Sequence, residues 1–378
     1  MKITARSIAY GGEGVGLTDQ GKVCFVRGLL PGETAEVGIT EDKKRFARGE
    51  IEKLLSTVPE RITPACPHAG VCPGCVYQHC AYETELEWKQ RQFEYFLRDF
   101  PGERHPIFPS PVRLGWRNRI KLHCEGGKYG YRGWDNATVV PVGRCLLAVP
   151  AINELLEHAS LPADGPFLLR SCADRTGIVG EKEETLLTEE LPPWGNFKVP
   201  ASGFFQTNLP VASELVSRVT AELEKRKVRD LLELFCGVGV FSIAAAKVLP
   251  ELRSFGVELS RPAVVAAKLN AKEARVERRC SFQASDALKF PKSRPDAVLL
   301  DPPRTGAAPK LLAKLLDLAP ELILYVSCAP DTLRRDLKIL EAKYEVLSAG
   351  ALDMFPCTAH FETFTVLALS NRLSRYIL

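Results

Sequence analysis

A cysteine and an aspartate each follow a short apolar run in the last quarter of the chain. Cys328 comes directly after residues 322–327, and Asp301 comes directly after residues 297–300. Such runs are typical of buried parallel strands, whose carboxyl ends deliver side chains to the ligand-binding edge of an open α/β sheet. A thiol and a carboxylate at this edge could perform covalent chemistry on a substrate. A free cysteine at a strand end can equally be a small packing residue, so this segment alone leaves both interpretations open.

A second group of residues predicts a cofactor site. Residues 231–235 form a strand-like run that leads into Cys236-Gly237-Val238-Gly239, the pattern of a strand, a glycine turn and a helix. Glu258 ends the next predicted strand and could accept hydrogen bonds from ribose hydroxyls, and Asp286, after a third strand, could bind an adenine amino group. The turn lacks the third glycine of dinucleotide-binding motifs. S-adenosyl-L-methionine is therefore favoured over NAD, which remains the alternative.

Three cysteines are grouped in one loop rich in proline and glycine. Cys66, Cys72 and Cys75 are separated by five and by two residues, a spacing that lets a loop wrap an inorganic centre with thiolate ligands. Three grouped ligands and one remote ligand favour a [4Fe-4S] cluster, with a four-cysteine zinc site or no metal as alternatives. Cys80 and Cys145 compete as the fourth ligand. We favour Cys145, because Cys80 opens a predicted helix and would point away from the centre.

The composition is that of an ordinary well-packed soluble protein. The chain has 378 residues, of which 46% are hydrophobic and 25% charged, and it is too long for one ordinary domain. It contains no apolar stretch near the roughly 20 residues that span a bilayer, and its first residues do not form a secretory signal. We therefore expect a cytoplasmic protein with no membrane contact, in which the 12 cysteines stay reduced.

The net charge of +4 is small, but positive residues are concentrated in two runs. Residues 43–48 and 113–121 combine lysines and arginines with aromatic side chains. Guanidinium and ammonium groups bind phosphates while aromatic faces stack on unpaired bases, so the pattern favours RNA as a partner. Runs of this kind are also common on surfaces that contact only water.

Three regions differ in pattern and together predict an α/β multidomain protein. Residues 1–58 alternate β-rich runs with glycine turns, which is typical of a small OB-like β-barrel. By analogy with other barrels of this fold, we expect it to bind RNA. Residues 59–200 hold the cysteine loop, a helix at 81–100 and several strands, which predicts a central α+β domain, although the helix could pack on the C-terminal domain. Residues 201–378 alternate strands and helices, which predicts a Rossmann-like parallel sheet. Its clearest elements are helices at 209–225, 240–249 and 261–272 and strands at 230–235 and 254–258.

Two further motifs are Gly-Phe-Phe-Gln-Thr-Asn at 203–208 and Asp-Met-Phe-Pro at 353–356. With Leu-Phe-Cys-Gly-x-Gly at 234–239, Asp-Pro-Pro-Arg at 301–304 and Val-Ser-Cys at 326–328, they resemble the RNA uridine-5-methyltransferases. The resemblance is to the branch with an N-terminal TRAM barrel and an iron–sulfur cluster, and it covers nearly the whole chain. Each motif is a modest signal, but their combination and order are highly specific. The resemblance implies a class I methyltransferase that uses S-adenosylmethionine.

The resemblance also implies roles for individual residues. Cys328 would be the nucleophile and Glu362 the general base, beside Asp301. The ligands of a [4Fe-4S] cluster would be Cys66, Cys72, Cys75 and Cys145. The cofactor contacts would be Gln206, Phe235, Glu258, Asp286 and Asp301. Phe204 would pack on a base extruded from the RNA.

The implied reaction is methylation of carbon 5 of a uridine in 23S ribosomal RNA. Thiolate attack at carbon 6 makes carbon 5 nucleophilic, and after methyl transfer a base removes the carbon-5 proton so that the thiol can leave. Asp301 would hold substrate or cofactor, since a carboxylate next to Cys328 raises the pKa of the thiol, whereas Arg304 would offset that charge. We expect the cluster to be structural and the protein to be a monomer.

Three alternatives remain open. The same chemistry could act on the T-loop uridine of transfer RNA. A non-catalytic RNA-binding or RNA-remodelling protein is disfavoured by the complete set of site residues. An amino-methyltransferase is disfavoured by the thiol of Cys328 and by Arg304, which stands where such enzymes have an aromatic residue. Two departures from the family pattern, Val240 where asparagine is common and Cys357 where histidine is common, leave the nucleophile and base intact.

Overall fold

The computed structural model describes residues 1–158, 162, 164–290 and 294–370. Its N-terminal part is one six-stranded sheet with the order β1-β5-β6-β4-β3-β2. The strands are β1 Lys2–Thr4, β2 Ser7–Ile8, β3 Glu13–Leu17, β4 Val23–Arg27, β5 Thr34–Asp42 and β6 Phe46–Ser56. Gly16 lets β1 lie close against β3, because a Cβ there would be 2.5 Å from Cγ2 of Ile3. The sheet therefore curls around one small apolar core, as expected for the predicted barrel.

The middle of the chain forms a second, antiparallel sheet with the order β10-β9-β8-β11-β12 and a separate hairpin of β13 and β14. Its elements are α1 Tyr82–Leu97, β7 Glu103–Phe108, β8 Arg119–Glu125, β9 Lys128–Arg132, β10 Val139–Pro141, α2 Pro150–His158, β11 Gly165–Ser171, β12 Thr176–Val179, β13 Leu186–Leu191 and β14 Gly195–Pro200. Leu122 and Leu169 of the sheet share a core with Ile152 and Leu156 of α2.

The C-terminal part is an eight-stranded sheet with the order β17-β16-β15-β18-β19-β21-β20-β7. Its elements are α3 Leu209–Lys225, β15 Asp230–Leu234, α4 Val240–Val248, β16 Arg253–Glu258, α5 Arg261–Glu273, β17 Cys280–Ala284, β18 Ala297–Leu300, α6 Pro309–Leu318, β19 Leu322–Ser327, α7 Pro330–Leu340, β20 Tyr344–Leu352 and β21 Glu362–Leu369. The five strands from β15 to β19 are parallel, and β21 runs antiparallel between β19 and β20. The predicted parallel sheet is confirmed.

Helices cover both faces of this sheet. Leu324 of β19 belongs to a core with α3, α4 and α5, whereas its neighbours Ile323 and Tyr325 belong to a core with α1, α6 and α7. Proline in the first turn of α3, α5, α6 and α7 sets their starting backbone angle. Across the described residues, no helix is long and apolar enough to cross a membrane.

One strand from the middle of the chain belongs to the C-terminal sheet. β7 pairs in parallel with β20 at the sheet edge, and α1 packs with α7 on the same layer. Residues 82–108 therefore lie against the C-terminal layer although they precede the five-stranded sheet in sequence. This arrangement places α1 directly beside the loop that joins β20 to β21.

Candidate active site

The thiol and the carboxylate proposed to carry the chemistry lie opposite each other at the end of two neighbouring strands. β19 and β21 pair antiparallel with Ser327 opposite Thr363, and the hydroxyl of Thr363 donates to the carbonyl of Ser327 at 2.9 Å. Cys328 and Glu362 adjoin this last pair of the two strands. The charge of Glu362 raises the pKa of the Cys328 thiol, so the two groups lie near each other at one end of the strands.

Glu362 is a buried carboxylate with an unused oxygen. Its side chain is only 2% exposed, and within the described residues its Oε1 has no hydrogen-bond partner. Burial raises the pKa of Glu362 well above its usual range, the charge of Asp301 raises it further, and Arg304 lowers it. A buried, unpaired acceptor is costly to keep. When Glu362 is ionised, this oxygen can take a proton from a bound molecule.

The surroundings of Cys328 favour the neutral thiol over the thiolate. Burial raises the pKa of its thiol to about 12, the charges of Glu362 and Asp301 add to this, and Arg304 opposes them. The signs agree with the expectation that neighbouring carboxylates disfavour the thiolate. A nucleophilic role for Cys328 would therefore require the thiol to lose its proton as it attacks.

A pocket opens beside these groups at the carboxyl edge of the sheet. It is lined by Phe204, Phe205, Gln206, Phe235, Cys236, Gly237, Val238, Val240, Phe241 and Asp301 and by apolar residues of α3 and β13. Burial and the charge of Glu258 raise the pKa of Asp301 to about 7. The mostly apolar lining, with a few polar groups at one side, suits a small molecule that has both an apolar and a polar part.

The glycine turn above β15 adopts the conformation that close approach of a ligand requires. Phe235 has a φ of +65°, and Gly237 and Gly239 have φ values of +53° and +81°. A positive φ is unusual and strained for a phenylalanine, and strain of this kind is concentrated at binding sites. A Cβ at Gly239 would lie 2.6 Å from the ring of Phe282, so this position requires glycine. The strand predicted to reach Phe235 therefore ends at Leu234.

Two further predicted cofactor residues lie at the same sheet edge but outside the pocket lining. Oε2 of Glu258 accepts from the N–H of Gly237 at 3.2 Å, and its Oε1 accepts from Ser260 at 2.8 Å. Asp286 is exposed and accepts from the N–H of Leu288 at 2.7 Å. A carboxylate has about four acceptor positions, so both retain the capacity to bind hydroxyl or amino groups.

The loop at 203–208 holds an exposed aromatic ring near the pocket. Phe204 is 68% exposed, while Arg119 and Arg170 donate to the carbonyl of Gly203 at 3.0 and 2.9 Å and fix the loop. Arg119 belongs to the basic run predicted to bind RNA, and its guanidinium is instead used inside the protein. The other run keeps most of its charges exposed, and Arg48 stacks over the rings of Phe25 and Phe46 at 5.9 and 5.6 Å.

The four cysteines predicted as cluster ligands line one pocket. They are Cys66, Cys72, Cys75 and Cys145. Cys80 lies outside this pocket, fully buried. Gln78 donates to Sγ of Cys75 at 3.1 Å, and the hydroxyl of Tyr131 donates to Sγ of Cys145 at 3.3 Å. Free thiols with donors aimed at their sulfurs fit thiolate ligation, although in the described part of the chain no three His, Cys, Asp or Glu side chains are already arranged to hold a metal ion.

A tyrosine from the N-terminal sheet reaches this site without any signal in the sequence. Tyr10, in the turn between β2 and β3, packs edge-on against Phe361 with the ring centroids 6.0 Å apart. Its hydroxyl lies 3.3 Å from Nδ1 of His360. Burial lowers the pKa of His360 to about 4, and Arg304 contributes to this, so the imidazole is neutral. The pairing joins residues 350 positions apart, which no local pattern indicates.

Two family models match the chain. Residues 194–370 match tRNA (Uracil-5-)-methyltransferase, and residues 1–51 match the TRAM domain. The first match contains the glycine turn, Cys328, Glu362 and all the pocket-lining residues except Leu191 of β13. The second covers most of the N-terminal sheet.

The similarity to whole proteins extends over nearly the full chain. The chain is 32% identical to the 23S rRNA (uracil(1939)-C(5))-methyltransferase RlmD of Photorhabdus laumondii, with 97% of this chain and 96% of the relative covered. It is 29% identical to an uncharacterized RNA methyltransferase of Thermotoga maritima, over 98% and 99% of the two chains. Its fold matches the crystal structure of Pyrococcus abyssi tRNA (uracil-54, C5)-methyltransferase, in complex with S-adenosyl-L-homocysteine, with a TM-score of 0.76, 24% identity and 97% and 100% coverage.

Proposed function

The chain belongs to the tRNA/rRNA uracil-5-methyltransferase family with a TRAM domain, and on this premise we propose that it methylates carbon 5 of a uridine in 23S ribosomal RNA. The observation that carries the proposal is the pairing of Ser327 with Thr363 across β19 and β21, which brings the adjoining Cys328 and Glu362 together near Asp301 of the pocket lining. A thiol and a base on one substrate ring are what addition at carbon 6 and proton removal at carbon 5 require.

S-adenosylmethionine is the proposed cofactor, and when bound it supplies the methyl group as an electrophile. The strained turn at Phe235, the close approach that Gly237 permits and the apolar pocket fit a ligand of this size and mixed polarity. Gln206 and Asp301 are the polar groups of that lining. Glu258 and Asp286 lie along the same edge and would bind the ribose and adenine groups.

The protein's own residues carry two proton transfers in the proposed reaction. As the C–S bond to carbon 6 forms, the thiol of Cys328 gives up its proton, and the electrons of the C5–C6 double bond move to make an enolate. We assign this proton to Asp301, whose pKa of about 7 suits both ionised and protonated states near neutral pH. Glu362 then stays free to take the carbon-5 proton after methyl transfer. Breaking the C–S bond restores the ring and releases a thiolate, which regains its proton from Asp301.

The RNA substrate would reach this site as an extruded base. Phe204 is exposed on an anchored loop beside the pocket, and a uracil ring could stack on it. The exposed basic and aromatic side chains at 43–48 would bind flanking RNA. Ribosomal RNA is favoured because the relative that is 32% identical over nearly the full length of both chains is named as a 23S rRNA methyltransferase. The cytoplasmic location and the monomeric state stay predictions.

The substrate test is methyl transfer by the purified protein to separate ribosomal and transfer RNA fractions from cells that lack the modification. With RNA tritiated at carbon 5 of uridine, we expect one tritium released per methyl group incorporated, and only with the 23S RNA. Mapping the methylated nucleotide then identifies the position. Response of the transfer RNA fraction alone would reassign the substrate, and binding of RNA without either signal would favour the non-catalytic alternative.

We also propose that Cys66, Cys72, Cys75 and Cys145 hold a [4Fe-4S] cluster, which would tie the cysteine loop to the five-stranded sheet. Protein purified without oxygen should contain about four iron and four sulfide ions per chain. Cys145→Ser should lose most of the iron, whereas Cys80→Ala should retain it, because Cys80 lies outside the pocket. Zinc in place of iron would contradict the [4Fe-4S] assignment, and iron loss in both variants alike would contradict this ligand set.

A further inference from the structure

The proposed catalytic base, Glu362, ends a loop whose hydrogen-bond partners lie mainly outside the C-terminal region. We call residues 353–362, between β20 and the start of β21, the base segment. At its beginning, Oδ2 of Asp353 accepts from the hydroxyl of Tyr82 at 2.7 Å and Oδ1 accepts from Nζ of Lys89 at 2.6 Å. Both donors belong to α1. At its other end the base segment carries Glu362 into the active site.

Lys89 joins the base segment to a second carboxylate on its own helix. Its Nζ donates to Oε1 of Glu85 at 2.8 Å and to the carbonyl of Phe355 at 3.1 Å. The side chains of Lys89, Glu85 and Asp353 are fully buried, and Arg113 donates to Oε2 of Glu85 at 3.1 Å. A buried ion cluster of this kind adds little stability relative to apolar residues of the same volume. We infer that its role is to hold α1 and the base segment in one relative position.

The backbone of Cys357 is held from both sides. Its N–H donates to Oε1 of Glu85 at 2.7 Å, and its carbonyl accepts from the N–H groups of Val76 and Tyr77 at 2.8 and 3.1 Å. Cys357 has a φ of +66°, a conformation that a non-glycine residue keeps only where its surroundings impose it. Val76 and Tyr77 directly follow Cys75, so the end of the cysteine loop holds the middle of the base segment.

We propose that Glu85 and Lys89 are positioning residues for the catalytic base, and that with the Val76–Tyr77 backbone they set where Glu362 lies for removal of the carbon-5 proton. This inference rests on the proposed function. It assigns the central part of the chain a share in one chemical step, the elimination, in addition to any contact with RNA. Addition of Cys328 to carbon 6 needs no proton removal by Glu362, so the two steps should respond differently when the cluster is disturbed.

The experiment compares Glu85→Gln with the wild type on unmodified ribosomal RNA tritiated at carbon 5 of uridine. Two signals are measured: the covalent protein–RNA adduct that survives denaturing electrophoresis, and tritium release. Glutamine keeps an oxygen for the N–H of Cys357 but removes the charge that pairs with Lys89. We expect tritium release to slow by about 10- to 100-fold, the cost of a small misplacement of a reacting group, while methylated adduct accumulates.

Two more variants make the result decisive. Tyr82→Phe removes the hydroxyl that donates to Asp353 and accepts from the N–H of Ser110 at 2.8 Å. It leaves no buried charge unpaired, so it should fold and shift the same ratio in the same direction by less. Glu33→Gln is the matched control: Glu33 is fully buried, pairs with Arg61 at 2.5 Å and accepts from the N–H of Leu30, but it lies just before β5 of the N-terminal sheet. It should leave the ratio of adduct to released tritium unchanged.

The inference is overturned if Glu85→Gln loses adduct formation and tritium release in equal measure, or shows the same ratio as Glu33→Gln. If Glu85→Gln does not fold, an unchanged ratio in Tyr82→Phe overturns it. A wild-type protein that gives neither adduct nor tritium release would instead remove the proposed function, so the two failures are distinguishable.

Discussion

Cys328→Ala should abolish both methyl incorporation and tritium release, with a loss of at least about 10⁴-fold, as is typical when the nucleophile of a covalent mechanism is removed. Without addition at carbon 6, carbon 5 of uracil is a poor nucleophile, and the remaining groups cannot make it a better one. Binding of RNA should persist, because the exposed basic residues and Phe204 are untouched. The measurement is single-turnover methyl transfer and tritium release, with RNA affinity determined in parallel.

Cys280→Ala is the suitable control for this prediction. Cys280 is a buried free thiol in the same sheet, but it begins β17 at the edge opposite the active site. It should keep full activity. Tritium release by Cys328→Ala near the wild-type rate would mean that another group adds to carbon 6. Methyl incorporation without tritium release in the wild type would move the reaction to another atom.

The sequence indicated the elements with strong periodicity almost residue by residue. The helix predicted at 209–225 is α3 at Leu209–Lys225, and the apolar runs before Asp301 and Cys328 are β18 and β19. Buried parallel strands and amphipathic helices leave a pattern within one segment, and their carboxyl ends must meet at one edge. The position of Cys328 beside Asp301 therefore followed from local pattern.

The position of Glu362 did not follow from local pattern. It begins β21, and it faces Cys328 because β21 is inserted antiparallel between β19 and β20. Strand order depends on which edges meet in the folded chain, and nothing in the residues near Glu362 encodes it. The same holds for Tyr10, which meets His360 only because the N-terminal sheet docks on α1 and the base segment.

The basic run at 113–121 shows a pattern that is clear in the sequence but does not reveal what its arginines bind. Arg113 donates to the carbonyls of Tyr77 and Cys80 and to Glu85, and Arg119 donates to Ser202 and Gly203. A guanidinium that satisfies buried carbonyls looks the same in sequence as one that binds phosphate. The burial of these groups, which depends on distant segments, decides between the two uses.

Glu362→Gln should stop the reaction one step later than Cys328→Ala. Glutamine has nearly the same shape as glutamate but cannot accept the carbon-5 proton. Addition and one methyl transfer should still occur, after which the enzyme stays attached to the methylated RNA. We expect tritium release to fall by about 10²- to 10⁴-fold, the usual contribution of a general base, and stable adduct to approach one per enzyme.

A control variant and the pH dependence both test whether Glu362 removes the carbon-5 proton. Glu345→Gln changes an exposed glutamate on β20 and should leave both signals unchanged.

In the wild type, burial and Asp301 hold the pKa of Glu362 well above its ordinary value, so the base is ionised in a growing fraction of molecules as pH rises. Tritium release should therefore increase with pH above the range in which an ordinary glutamate, with a pKa of about 4.3, has finished ionising. A pH profile that levels off at the ordinary glutamate pKa, or rapid release by Glu362→Gln, would assign the proton to another group.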